Sequence, residues 1–215
     1  MRRIKNIILL CFGIILYLSR INSAQEIIYK TLPGSKVWIE GTSTLNVYTC
    51  KTNDVNGYAE LYNARGENDT SLGKDKANLL IMVKSLNCGK DLMNKDMYNA
   101  MKSGEFPFIS YELLSARLVS HADSADGWFD LETRGKLSIA GDTNTVVIIM
   151  KIKKMTNHVY RLVGSKALSM RDFGIIPPSH FFGLIKARKG LTVHFDLLAA
   201  GIASNDFATH NHPGK

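Results

Sequence analysis

Short alternations of apolar and polar residues run through most of the chain. From Ser35 to Gly41, Val37 and Ile39 alternate with Lys36, Trp38 and Glu40. From Trp128 to Ala140, Phe129, Leu131, Leu137 and Ile139 take one face, and Asp130, Glu132, Arg134, Lys136 and Ser138 take the other. Val146, Ile148, Met150 and Ile152 make the inner row of Thr145–Lys154, and Leu191, Val193, Phe195 and Leu197 that of the last strand. A period of two is the mark of a half-buried β-strand. Further strands are predicted over Thr42–Cys50, Gly57–Tyr62, Ala77–Leu86, Phe106–Ala116 (with Ile109, Tyr111 and Leu113 on one face) and Tyr160–Leu168. The run Leu79-Leu80-Ile81-Met82-Val83 is apolar on both faces. About eight to ten strands at near-regular spacing, joined by polar turns, define a closed barrel or a sandwich.

Two stretches break this rhythm. In Asp91–Ser103, Leu92, Met93, Met97, Ala100 and Met101 recur at helical spacing, with Gly104 as a stop signal. A methionine stripe there is either core packing or an adaptable lid, because methionine repacks easily. Between the last two strands, the polar corner Ser169-Met170-Arg171-Asp172 leads into Phe173-Gly174-Ile175-Ile176 and then Pro177-Pro178. Loops normally lie in water. Leaving Phe173, Ile175 and Ile176 there would forgo roughly 1.5–3 kcal/mol for each side chain. The loop is therefore predicted to cover a core end or a ligand mouth.

The first 24 residues fall outside this pattern. Arg2, Arg3 and Lys5 precede an apolar run from Ile7 to Leu18, and Asn22-Ser23-Ala24 follows. This is the layout of a secretory signal peptide, with cleavage expected after Ala24. The apolar run is short of the about 20 residues that a membrane span needs, and an uncleaved N-terminal anchor is the other reading. Cys11 lies inside the run and not at its end, so no lipid anchor is read. Residues 25–202 then form one domain and 203–215 a polar tail. Removing four basic and no acidic groups takes the net charge from +8 to about +4. That mild charge, without basic clusters interleaved with aromatics, argues against a nucleic-acid partner. Lys186, Arg188 and Lys189 read as a solvated hairpin end, or as a weak attraction for anionic head groups.

Two cysteines remain, Cys50 and Cys88. An even count in an exported chain favours a disulfide, and two separate buried thiols are the other reading. Catalytic chemistry is sparse. Neither G-x-S-x-G nor H-E-x-x-H occurs, and the six histidines are scattered over turns, a loop, a polar strand face and the tail. The sequence gives no reason to expect a cofactor or a metal, although His210 and His212 stand two apart in the tail. Asn68-Asp69-Thr70 fits a glycosylation acceptor in a eukaryotic host.

Four pieces in order carry a family likeness. They are S-K-V-W-I-E-G-T-S-T-L from Ser35, Phe106-Pro107-Phe108-Ile109-Ser110-Tyr111 after the helix, G-K-L-S-I-A-G-D-T from Gly135 to Thr143, and Arg171-Asp172-Phe173-Gly174-Ile175. Together they resemble the YceI-like family over roughly Ser35 to Ala200. Asn46 stands where one branch has His, and Cys88-Gly89-Lys90-Asp91 replaces an Arg/Asp-rich stretch.

The resemblance implies an all-β fold, a lipocalin-like antiparallel barrel of eight strands or slightly more with one inserted helix. It also implies an exported, periplasmic or secreted, non-enzymatic protein that holds a long isoprenoid-type chain; transient contact to a membrane surface is a separate expectation, from Lys186, Arg188 and Lys189. The tunnel wall would then comprise Val37, Ile39, Leu79, Ile81, Ile109, Tyr111, Phe129, Leu131, Leu137, Ile148, Met150, Phe173, Ile175 and Phe195. Arg171 and Asp172 read as a structural pair fixing the corner, or as polar contacts to a head group at the mouth. The same apolar rows would equally build a filled core, the basis of a structural or adhesion domain. The sequence leaves the oligomeric state open.

Overall fold

The computed structural model describes residues 26–62, 76–119, 127–156, 158–180 and 185–203. The leader, the Asn68 acceptor, His121, His210, His212 and most of the tail lie outside these residues. In chain order come β1 (Glu26–Thr31), β2 (Lys36–Ser43), β3 (Val47–Thr52), β4 (Val55–Tyr62), β5 (Lys76–Met82) and α1 (Asp91–Ala100). β6 (Phe108–Leu118), β7 (Trp128–Ile139), β8 (Asp142–Thr156), β9 (Val159–Ser169), β10 (Ser179–His180) and β11 (Ile185–Ala203) follow.

The strands form a closed antiparallel barrel. The order β1-β4-β5-β6-β7-β8-β9-β11 is completed by pairing of β1 with β11. With 19 residues, β11 serves two partners on one edge, β2 along Ala187–Asp196 and β1 along Ala199–Ala203. β1 and β2 are thus two halves of one stave, and β3 and β4 are two halves of its neighbour. Ser35 pins the break between β1 and β2. Its buried hydroxyl donates to the Leu32 carbonyl at 2.8 Å and accepts from the Leu198 amide at 3.0 Å.

Close packing inside depends on bare backbone positions, Gly135 among them. A Cβ at Gly135 would stand 2.4 Å from Tyr111 Cζ. With glycine there, the Tyr111 ring lies across β7 and its hydroxyl donates to Thr133 Oγ1 at 3.0 Å. The same motif ends in the tight Ala140-Gly141 turn, where both residues take positive φ, as a two-residue hairpin of the primed type requires.

Where β5 stops, the segment leading to α1 takes over the wall. Lys51 and Asn87 exchange backbone hydrogen bonds of 3.0 and 2.9 Å, and the adjacent Cys50 and Cys88 are joined as a disulfide. Asn94 Oδ1 accepts from the Cys88 amide at 2.7 Å, and the Tyr98 hydroxyl donates to the Leu86 carbonyl at 2.8 Å. These bonds seat α1 across one end of the barrel. The helix is stopped by Lys102 at positive φ, and not by Gly104, which has nothing packed against it.

Several boundaries differ from the sequence-based expectation. The β2–β3 turn falls inside the predicted Thr42–Cys50 strand, because Ser43 folds back on Asn46 through its hydroxyl and amide. β1 and the first part of β11 show no apolar alternation, and pairing with neighbouring strands decides their conformation. Lys186, Arg188 and Lys189 therefore sit on a strand, not in a hairpin end. Leu80 and Met82 of the two-sided apolar run face outward and are exposed.

Candidate functional site

The inner rows enclose a cavity of about 870 Å³ running along the barrel. That volume lies within the ~300–1,000 Å³ range of ligand pockets. Its wall is overwhelmingly apolar. Val37 and Ile39 come from β2, Leu79 and Ile81 from β5, and Ile109 and Tyr111 from β6. Phe129, Leu131 and Leu137 face it from β7, Ile148 and Met150 from β8, and Phe195 from β11. Phe173 and Ile175 line it from the loop after β9. On one side of the cavity Val37, Val55 and Ile81 form a second buried cluster, with Leu79, Ile109, Val193, Phe195 and Leu197 packed against it.

One end is packed. Val83, Met101, Leu137, Ile139, Ala140, Met170, Phe173 and Ile175 form a buried cluster, with Met97, Tyr98 and Ala100 of α1 against it. The methionine stripe of α1 faces this cluster and the cavity together, and Leu92 at its start is exposed. The loop expectation holds for Phe173 and Ile175, 2% and 9% exposed, but not for Ile176, which is 84% exposed. A short 3₁₀ turn, Met170–Phe173, aims Met170 and Phe173 inward. Gly174, at φ 62, then reverses the chain, so that Ile175 follows inward and Ile176 points out.

Beside this plug the cavity opens. Ser43, Leu45, Asn46 and Tyr48 of the β2–β3 hairpin, Lys90 and Leu92 at the start of α1, and Pro178 border the mouth. Tyr48 lies over Gly41, and burial pushes its phenol above the ordinary tyrosine value, as it does for Tyr111. Both stay neutral and able to donate a hydrogen bond at physiological pH.

Arg171 and Asp172 are placed differently from the expectation. Neither lines the cavity, both are exposed, and no ion pair joins them. The corner is fixed by backbone groups instead. The Ile175 amide donates to the Met170 carbonyl at 3.0 Å, and the Asn144 side-chain amide donates to the Asp172 carbonyl. Arg171 borders a second, shallower depression of about 550 Å³ with Thr42, Thr44, Pro177, Lys186, Arg188 and Lys189.

Sequence reasoning missed Lys166. It falls in register with Leu162, Gly164 and Leu168 on the inner row of β9, opposite Val193. No carboxylate among the described residues pairs with it. Its signal was available, as a lysine at an apolar position of an alternating strand. Tyr48 and the tyrosine pair Tyr29–Tyr160, whose rings lie edge to face at 5.6 Å, were missed as well. Among the described residues no group of three or more His, Cys, Asp or Glu side chains is placed to hold a metal.

The fold is thus a closed antiparallel barrel with an apolar shaft, one helix across its end and a mouth beside the plug. The YceI-like domain model matches residues 34–199, and the chain belongs to that family. Among solved structures, a polyisoprenoid binding domain from Saccharophagus degradans is similar, with a TM-score of 0.61 at 14% identity, covering 81% of this chain and 98% of that one. BcnA of Burkholderia cenocepacia matches with a TM-score of 0.60 at 13% identity, over 77% of this chain and 96% of that one. No curated protein matches.

Proposed function

We propose that the protein is an exported carrier or reservoir for one long amphiphilic chain of isoprenoid type. The observation that carries this reading is the apolar cavity of about 870 Å³ along the barrel axis. The polyisoprenoid-binding relative supports the ligand class. A basic-apolar-small leader and the Cys50–Cys88 bridge support an oxidising compartment outside the cytosol. The tail lies in the shaft, against Leu79, Phe129, Leu131, Ile148, Met150 and Phe195. The polar end lies toward the mouth, within reach of Lys166 and the Tyr48 hydroxyl. At about 0.3 kcal/mol per heavy atom, a chain of about 30 carbons would gain roughly 9 kcal/mol, a sub-micromolar affinity. No step of this function needs a catalytic residue.

Native mass spectrometry of the purified protein, followed by solvent extraction, tests the reading. One long-chain amphiphile per barrel is the expected result. An empty barrel that also fails to take up added polyprenol or fatty acid would overturn it.

A further inference from the structure

The rim of the mouth combines exposed apolar side chains with a cluster of cations. Leu45 and Val47 of the β2–β3 hairpin, Leu92 of α1 and Ile176 of the plug loop are 71%, 67%, 61% and 84% exposed. All four belong to the same end of the barrel. Leu45 and Leu92 share the mouth, and Ile176 adjoins Pro177 on the far side of the hairpin. Backbone bonds tie these pieces into one surface. Thr44 donates to the Lys186 carbonyl at 3.0 Å, and Ala187 to the Pro178 carbonyl at 3.0 Å.

Between the apolar tips lies the second depression, with Arg171, Lys186, Arg188 and Lys189 around it and no carboxylate on its lining. None of these four cations pairs with a carboxylate among the described residues. Carboxylates do occur at this end, among them Asp172 on the 3₁₀ turn, Asp142 beside Gly174, and Asp91 and Asp96 on α1, but outside the depression.

We propose that this rim docks on an anionic lipid bilayer, setting the mouth of the shaft against the membrane. Single apolar side chains interleaved with long cations match a bilayer interface. The apolar tips enter the acyl boundary while lysine and arginine heads stay among acidic head groups. Docking also gives a long hydrocarbon chain a path between bilayer and shaft that avoids water. The inference explains how the proposed ligand enters, and it rests on that reading for its purpose.

Flotation of the full mature chain, stripped of ligand, with phosphatidylcholine vesicles and with phosphatidylcholine vesicles containing one-third phosphatidylglycerol tests it. The protein should float with the anionic vesicles at least tenfold more than with the neutral ones, and release in high salt. The double variants K186E/R188E and L45D/L92D should each bind at least tenfold more weakly. K154E/M155D, an equivalent change at the opposite end, should bind like the wild type. These positions are exposed, and an unchanged thermal melt verifies that each variant folds. Equal flotation with both vesicle types, no flotation with either, or equal loss at both ends would overturn docking. Stripped protein reports on the rim alone, so its failure leaves the ligand reading untouched, and an empty shaft leaves vesicle binding untouched.

Discussion

The plug and the shaft of this barrel are made of the same kinds of side chain, yet one is full and the other hollow. Around the plug, Val83, Met101, Ile139, Met170, Phe173 and Ile175 pack to burial of 9% exposure or less. Along the shaft, Phe129, Leu131, Ile148 and Met150 face a cavity instead. The difference lies in what is inserted. Segments that leave the barrel and return, Val83–Phe106 and Met170–Ile175, carry extra side chains into one end. No described segment enters the shaft, and strands alone cannot fill it, since an eight-stranded barrel can just hold a small ligand. Filling is thus a property of connections, while strand alternation fixes only which way a side chain faces.

The largest expected effect separates the two regions directly. Phe173→Ala should destabilise by about 3–5 kcal/mol, the cost of a large aromatic deletion in a packed site. Ile148→Ala in the shaft should cost less than about 2 kcal/mol, because its side chain already faces free space on one side. Urea unfolding of both variants in the ligand-free protein decides this. Equal costs would erase the distinction between plug and shaft.

Next in size is the disulfide. Cys50 and Cys88 are 38 residues apart, and losing their link should cost about 4 kcal/mol at most in the chain-entropy model. In the Cys50→Ser/Cys88→Ser variant, amide exchange should quicken mainly in α1 and at Lys51–Asn87, leaving β7–β9 protected. Uniform acceleration would show that the bridge supports the whole barrel rather than the plug end.

The smallest effect concerns the outer wall of the shaft. Arg161 meets Asp196 through two bonds of 2.8 Å, and Lys36 approaches it at 3.5 Å. The Arg161 guanidinium holds the Asp196 carboxyl below the usual carboxylate range. A depressed folded-state value stabilises above the unfolded aspartate value, about 3.9, and that contribution is lost as pH falls through the folded value. Asp196→Asn should therefore cost about 1 kcal/mol near pH 7, allowing for the partial exposure of the pair. The deficit should shrink as pH falls below about 4 and disappear only once the wild-type carboxyl is protonated, at its lower folded-state value. A deficit that persists there would assign the loss to packing.

Much of the wall was legible in the sequence because alternation encodes facing. Val37, Ile39, Leu131, Ile148, Met150 and Phe195 were all read from period-two rows and all line the cavity. Arg171 and Asp172 lie outside the cavity wall because a 3₁₀ turn rotates them outward, which alternation in the neighbouring strands does not encode. β1 was invisible because its pairing with β4 and β11 is set by residues far away in sequence. Lys166 was overlooked because one polar residue in an apolar row is easily read as an exception to the pattern. On the inner face of a barrel it is the more informative position.

The split stave has a consequence for how the chain can acquire its shape. β1 is held on one side by β4 and on the other by the last residues of β11, with Ile27 opposite Ala203. The Ser35 hydroxyl reaches residue 198, a separation of 163. Barrel closure therefore waits on the far end of the polypeptide, and contacts this distant in sequence are slow to form. A chain ending before Ile185 would not be a smaller barrel. It would be an open sheet with unpaired edges at β1, β2 and β9, and such edges invite aggregation. Until the last strand arrives there is no enclosed space, so ligand loading belongs to the finished molecule or to the moment of its closure.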